Sequence, residues 1–101
     1  MQFNKLVRDK IPEIIRSRGE TPFVHIADSK EYEKALEEKL REEVTEFLEK
    51  PSVEEAADIL EVLRATCAFK DIDITALEKA RQKKYDERGG FEKRIILERT
   101  E

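Results

Sequence analysis

A chain of 101 residues fits one domain, and 44% of its residues are charged, with a formal net charge of -4. Because hydrophobic residues still make up 39% and fall in periodic blocks, we expect a folded, mainly α-helical protein. The charge lacks the uniformly basic footprint of a protein that binds duplex nucleic acid. The single cysteine, Cys67, excludes an internal disulfide and is expected in the core. The apolar runs are too short for a signal peptide or a membrane span, so we expect a cytoplasmic protein with no membrane partner.

The first predicted elements in chain order are a short helix and a short strand. Asp9 can cap a helix that has Pro12 in its first turn, and Gly19 suits its end. The mostly apolar segment 23–26 then predicts a strand.

Two longer helices follow, and each begins with a capping-box pattern. Asp28, with a glutamate three residues later, predicts a helix of about twenty residues that runs to about Lys50. Pro51 ends it, because proline lacks the backbone donor and disfavours a helical residue before it. Ser52, also followed by a glutamate three residues later, predicts a second helix over residues 53–69.

The last predicted elements are a third main helix and a closing strand. Asp73 can cap a helix that runs to about Arg88, where two glycines end it. The segment 94–98 predicts a strand that could pair with 23–26 in a small β-hairpin. Because short connections make consecutive helices antiparallel, we expect one antiparallel helical bundle over residues 1–101.

Three acidic side chains fall on helix faces that should be buried, and a fourth lies at the edge of one. On a helical wheel, Glu43 lies inside the apolar stripe of the first long helix, and Glu46 lies just beyond it. Glu55 and Asp58 lie within a wide apolar arc of the next helix. A carboxylate on a packing face is costly unless it is paired or bound to a cation. These positions therefore indicate a functional site.

The spacing of these acids predicts a metal centre. Residues three apart on a helix are neighbours, so each helix presents a carboxylate pair, and an antiparallel hairpin lets the pairs meet. Clustered carboxylates need a cation, and all-oxygen ligands favour Mg²⁺ or Mn²⁺, which can polarise a phosphate. Such pairs are also common on surface helices. The acids could instead be interhelical salt-bridge partners of Lys39, Arg41 or Arg64 in a non-catalytic interaction module.

The paired acids resemble the acidic motif of the MazG-like all-α NTP pyrophosphatases. The resemblance rests on four blocks of sequence, at 4–15, 40–48, 54–63 and 84–91. The first and the last of these blocks look like a subgroup of short MazG-like proteins that are often labelled phosphoribosyl-ATP pyrophosphohydrolase-like. The segment between the acid pairs is short, unlike that of the dimeric dUTPases of the same superfamily.

The resemblance implies a Mg²⁺ site and a reaction. The implied ligands, which also carry the catalysis, are Glu43, Glu46, Glu55 and Asp58. The implied reaction hydrolyses a nucleoside triphosphate between its α and β phosphates, to a monophosphate and pyrophosphate, in a house-cleaning or general role. It also implies a homodimer or homotetramer in which the substrate pocket is completed between chains.

Phosphate oxygens need cationic partners during such a cleavage. Spacing and resemblance together point to four basic residues near the ends of the chain: Lys5, Arg8, Lys84 and Arg88. A nucleotide-binding regulator that kept the site but lost turnover is a further alternative.

Overall fold

A computed structural model describes residues 4–101 of the chain and contains four helices. They are α1 (Ile11–Ser17), α2 (Ser29–Glu49), α3 (Val53–Phe69) and α4 (Ile74–Arg88). The prediction of a mainly α-helical protein is confirmed. Within residues 4–101 no helix has both the length and the apolar character needed to cross a membrane.

Three of the helices begin at the capping residues that the sequence predicts. The Asp28 carboxylate accepts a hydrogen bond of 2.9 Å from the backbone N–H three residues along, at the start of α2. The Ser52 hydroxyl accepts one of 3.1 Å from the N–H of Glu55, at the start of α3. Asp73 caps α4 in the same way, at 3.0 Å. Each cap satisfies a backbone N–H that has no partner within the first helical turn. The Ser52 cap fixes Glu55 in the first turn of α3.

The start of α1 differs from the prediction. Asp9 does not cap it: the residue in the N-cap position is Lys10, and its side chain makes no capping hydrogen bond. The backbone replaces the missing cap, because the carbonyl of Arg8 accepts the N–H of Ile11 at 3.0 Å. Pro12 follows in the first turn and has no N–H to satisfy.

Helices α2 and α3 form an antiparallel hairpin that contains the buried part of the molecule. Tyr32, near the start of α2, meets Phe69, at the end of α3, edge to face with ring centroids 5.2 Å apart. The start of one helix therefore lies beside the end of the other. Leu36 and Cys67 are buried in this hairpin, and the expectation of a core position for the cysteine is confirmed.

Beyond the hairpin the chain is extended. Helix α4 packs on α3, but only Ile74 in its first turn is partly buried. Residues 4–101 measure 62 × 31 × 24 Å, and their radius of gyration is 18.1 Å, compared with about 13 Å for a compact domain of this size.

The possible β-hairpin is not formed in the part of the chain that the structure describes. The segments 23–26 and 94–98 are assigned to no strand. Their large apolar side chains face outward, with Phe23 94% and Ile96 83% exposed. A strand needs a partner for its backbone donors and acceptors. Within residues 4–101 the two segments share no backbone hydrogen bond, and the N–H of Arg94 donates instead to the carbonyl of Phe91 in a local turn.

Candidate metal centre

Three of the four acids that the sequence singles out lie together. One carboxylate oxygen from each of Glu43, Glu55 and Asp58 lies within 4.8 Å of the other two. Glu43 comes from the second half of α2, and the other two come from the first two turns of α3. The short connection through Pro51 folds these parts of the two helices against each other, which explains the cluster.

Glu46 lies to one side of that cluster. It belongs to a second group of acids on α2, with Glu42 and Glu43, whose oxygens are also within 4.8 Å of one another. Glu43 is buried and shared by both groups, whereas Glu46 is exposed. The structure therefore places Glu46 one turn along α2 from Glu43, on the solvent side of the cluster.

Glu43 is unusually buried for a carboxylate. It is 5% exposed, as its place in the apolar stripe predicts, while Glu55 and Asp58 are half-buried. The Oε2 atoms of Glu43 and Glu55 are both shielded from solvent and have no hydrogen-bond partner. Leaving such a group unsatisfied costs about 1–3 kcal/mol, and more when it is charged. A bound cation would remove that cost.

Basic side chains lie against the same acids. The Nζ atom of Lys39 is 3.2 Å from Oε1 of Glu43, one helical turn along. The Nη2 atom of Arg8 donates a 2.7 Å hydrogen bond to Oδ1 of Asp58. Farther out, the Nζ atom of Lys5 donates to Oε1 of Glu42 at 3.4 Å. Lys5 and Arg8, two of the predicted phosphate-binding residues, thus lie beside the acids.

A cleft of about 530 Å³ opens beside the cluster, between the chain that precedes α1 and the α2–α3 hairpin. Its volume falls in the range of about 300–1,000 Å³ that is usual for small-molecule sites. Its lining includes the charged side chains of Arg8, Lys39, Glu43, Asp58 and Glu61. The cleft therefore places cations and carboxylates around one space.

The other two predicted phosphate ligands lie elsewhere. Lys84 and Arg88 are exposed on α4, and neither lines the cleft. The structure of a single chain thus brings together the first pair of predicted cations with the acids, but not the second pair.

The sequence predicts no site role for two residues that lie at this centre. It indicates Lys39 only as a salt-bridge partner and indicates no role for Glu42. Both carry a local signal: Lys39 lies four residues before Glu43, and Glu42 lies four before Glu46, the spacing at which side chains on a helix meet.

The alternative role of the acids, as interhelical salt-bridge partners, is only partly matched. Lys39 pairs with Glu43, but within α2 and not between helices. Among residues 4–101, neither Arg41 nor Arg64 forms a salt bridge with these acids. The Lys39 pair also occupies only one oxygen of Glu43 and leaves the other without a partner.

Comparison with known proteins adds a partial relative of unknown activity. An uncharacterized protein of Mycolicibacterium smegmatis is 52% identical to this chain over 43 residues, which are 43% of this chain and 44% of that protein. The match thus spans less than half the length of the relative. No family model and no solved structure matches the chain.

Proposed function

We propose that this protein is a Mg²⁺-dependent nucleoside triphosphate pyrophosphohydrolase that releases pyrophosphate and leaves a nucleoside monophosphate. The observation that carries the proposal is that two carboxylate oxygens of the acid cluster, Glu43 Oε2 and Glu55 Oε2, are buried and unpartnered, while Glu43 and Asp58 of the same cluster line an open cleft. A buried carboxylate oxygen without a partner is costly, and a bound cation would satisfy both oxygens at once. The resemblance to MazG-like pyrophosphatases supplies the reaction.

The proposed metal ligands are Glu43, Glu55 and Asp58, with Glu46 as a fourth from the outer side of α2. An all-oxygen set of this kind suits Mg²⁺, or Mn²⁺ in its place, better than zinc. An ion held there supplies Lewis-acid polarisation of a phosphate group. Glu61, which lines the cleft one turn beyond Asp58, is placed to hold a water molecule by its carboxylate.

The substrate phosphates are proposed to lie in the cleft. Arg8 and Lys39 supply positive charge there, and Lys5 lies farther out on Glu42. Lys84 and Arg88 would act on this site from a neighbouring subunit, since in their own chain they lie away from the cleft.

A homodimer or homotetramer belongs to the same proposal. Its support is the amount of apolar surface that one chain leaves open: Phe23, Ile26, Phe91 and Ile96 are each more than 80% exposed. Exposed apolar surface on this scale is typical of an interaction site. The resemblance implies that the partner is a second copy of the chain.

The first test combines a substrate screen with substitutions of the proposed ligands. The screen incubates common and modified nucleoside triphosphates with Mg²⁺ and identifies the products by mass, which should be monophosphate and pyrophosphate. Glu43→Gln and Asp58→Asn should each lower that activity by at least about a hundredfold, because they remove a charge that holds the metal. Glu37→Gln, at an exposed position of α2, is the matched control and should keep full activity.

Two results would contradict this proposal. Full activity in both ligand variants would remove the metal centre from the reaction, and diphosphate with orthophosphate as products would contradict the bond assignment. Circular dichroism of each variant separates a lost site from a lost fold.

The second candidate function is a non-catalytic interaction or nucleotide-binding regulatory module. The observation that favours it is the Lys39–Glu43 pair, which already neutralises one acid without a metal. In an interaction module, millimolar Mg²⁺ leaves the melting temperature unchanged. A rise with Mg²⁺ that Glu43→Gln abolishes favours the metal centre. A regulator would bind a non-hydrolysable triphosphate but leave the natural one intact.

A further inference from the structure

The segment before α1, residues 4–10, is here named the N-terminal arm, and its Arg8 reaches across to Asp58 on α3. Resting on the proposed metal centre, we propose that Arg8 is one of two internal cations of that centre, the other being Lys39, and that a divalent ion displaces Arg8. The released guanidinium then binds the phosphates of the nucleotide. The arm thereby makes the protein bind its metal before its nucleotide.

The Asp58 carboxylate can be neutralised either by Arg8 or by a divalent ion. Arg8 Nη2 lies 2.7 Å from Asp58 Oδ1, within the short range of charge-assisted hydrogen bonds. Asp58 is also one of the three acids whose oxygens lie within 4.8 Å of one another. A divalent ion in that cluster attracts Asp58 with twice the charge of Arg8 and repels the guanidinium beside it. The two cations therefore compete for Asp58.

The arm can leave its place without unfolding the hairpin. Helix α1, to which the arm connects, lies outside the packed helix pairs, which are α2 with α3 and α3 with α4. The arm is held by ion pairs of Lys5 and Arg8, whose side chains are 48% and 57% exposed. Ion pairs this exposed are individually weak. Leu6 is partly buried and Val7 is 40% exposed, so the apolar packing of the arm is incomplete.

Arg8 is held less firmly than Lys39, the other cation that lines the cleft. Lys39 has a side chain only 19% exposed and is held by Glu42 and Glu43 of its own helix. It therefore stays in place when the arm moves. A displaced Arg8 remains tethered beside the cleft, and its planar guanidinium can bind two phosphate oxygens at once. A metal–nucleotide complex supplies the negative charge that Arg8 loses at Asp58.

The test measures Mn²⁺ affinity by calorimetry on the whole 101-residue chain. Arg8→Gln removes the internal competitor and should tighten Mn²⁺ binding by about two- to tenfold. Arg16→Gln is the matched control: it removes the same charge from an exposed position on α1, where the described chain offers no ion pair, and should leave the affinity unchanged. Glu43→Gln should abolish binding.

A second readout follows the arm itself by NMR. The heteronuclear NOE of the amides of residues 5–8 should fall when Mg²⁺ is added to the wild type. It should recover when an α,β-methylene triphosphate is added as well, and it should not recover in Arg8→Gln.

The outcomes distinguish this inference from the proposed function. If Arg8→Gln and Arg16→Gln bind Mn²⁺ like the wild type, and the arm stays ordered with Mg²⁺, the displacement is refuted. The metal centre survives that result provided that Glu43→Gln still loses Mn²⁺. If the wild type binds no Mn²⁺, the centre and the inference both fail.

Discussion

The α2–α3 hairpin buries its apolar face and carries the candidate metal centre, whereas α4 and the tail after it bury almost nothing. In the hairpin, Leu36 is 2% exposed and even Glu43 is only 5% exposed, while in the tail Phe91 is 96% and Ile96 83% exposed. Both regions contain large apolar side chains. What differs is whether a second element of the same chain lies close enough to cover them.

The contrast shows which part of the chain is rigid enough to hold a site. A metal centre needs ligands that are held in place by packing, and the hairpin supplies such packing around Glu43. Regions with few buried contacts open at low free energy, so α4 and the tail are expected to be the least stable part of a single chain. Their exposed apolar surface suits contact with another chain better than it suits catalysis.

The largest expected effect is on stability, and it should differ between a buried and an exposed leucine of α2. Leu36→Ala should lower the free energy of unfolding by about 2–4 kcal/mol, because it leaves a cavity in the buried part of the hairpin. Leu48→Ala, at a position 71% exposed, should change it by no more than about 0.5 kcal/mol. Urea unfolding followed by circular dichroism measures both. Equal losses would break the comparison, since Leu48 would then be covered by a neighbouring subunit.

The hairpin could be predicted because its signals are local. Asp28 and Ser52 each bond to a backbone N–H three residues along, so the sequence alone locates the helix starts. The burial of Glu43 follows from the helical period, and its approach to Glu55 and Asp58 follows from the short connection between the helices.

The rest could not be predicted because it depends on distant parts of the chain. Arg8 and Asp58 are 50 residues apart in the sequence, and no local pattern predicts their hydrogen bond. The segments 23–26 and 94–98 have the composition of strands, but a strand also requires a partner, which propensity does not supply. The distance of Lys84 from the cleft likewise depends on how α4 leaves the hairpin.

An effect of intermediate size is expected on self-association, which tests whether a second chain covers the tail. Ile96→Asp places a charge where the proposed oligomer buries an apolar side chain, and it should weaken self-association by about tenfold or more. Sedimentation of the wild type and the variant over a range of concentrations measures this. Glu98→Gln is the control, at a position of the same tail that is already polar. A wild type that sediments as a monomer at every concentration would leave the tail without its proposed cover.

The smallest effect is expected on Mn²⁺ affinity when the N-cap of α3 is removed, and removal of the N-cap of α4 is the comparison. Ser52→Ala and Asp73→Ala should each destabilise the first turn of a helix by about 1 kcal/mol. Only the first turn of α3 carries a proposed ligand, Glu55, so Ser52→Ala should weaken Mn²⁺ binding by about two- to fivefold. Asp73→Ala should leave it unchanged, because α4 touches the hairpin without lining the cleft. Calorimetry with Mn²⁺ measures the affinity of both variants. An equal loss of affinity would mean that α4 supports the metal centre through α3. The division between a packed hairpin that holds the site and a loosely attached remainder would then no longer hold.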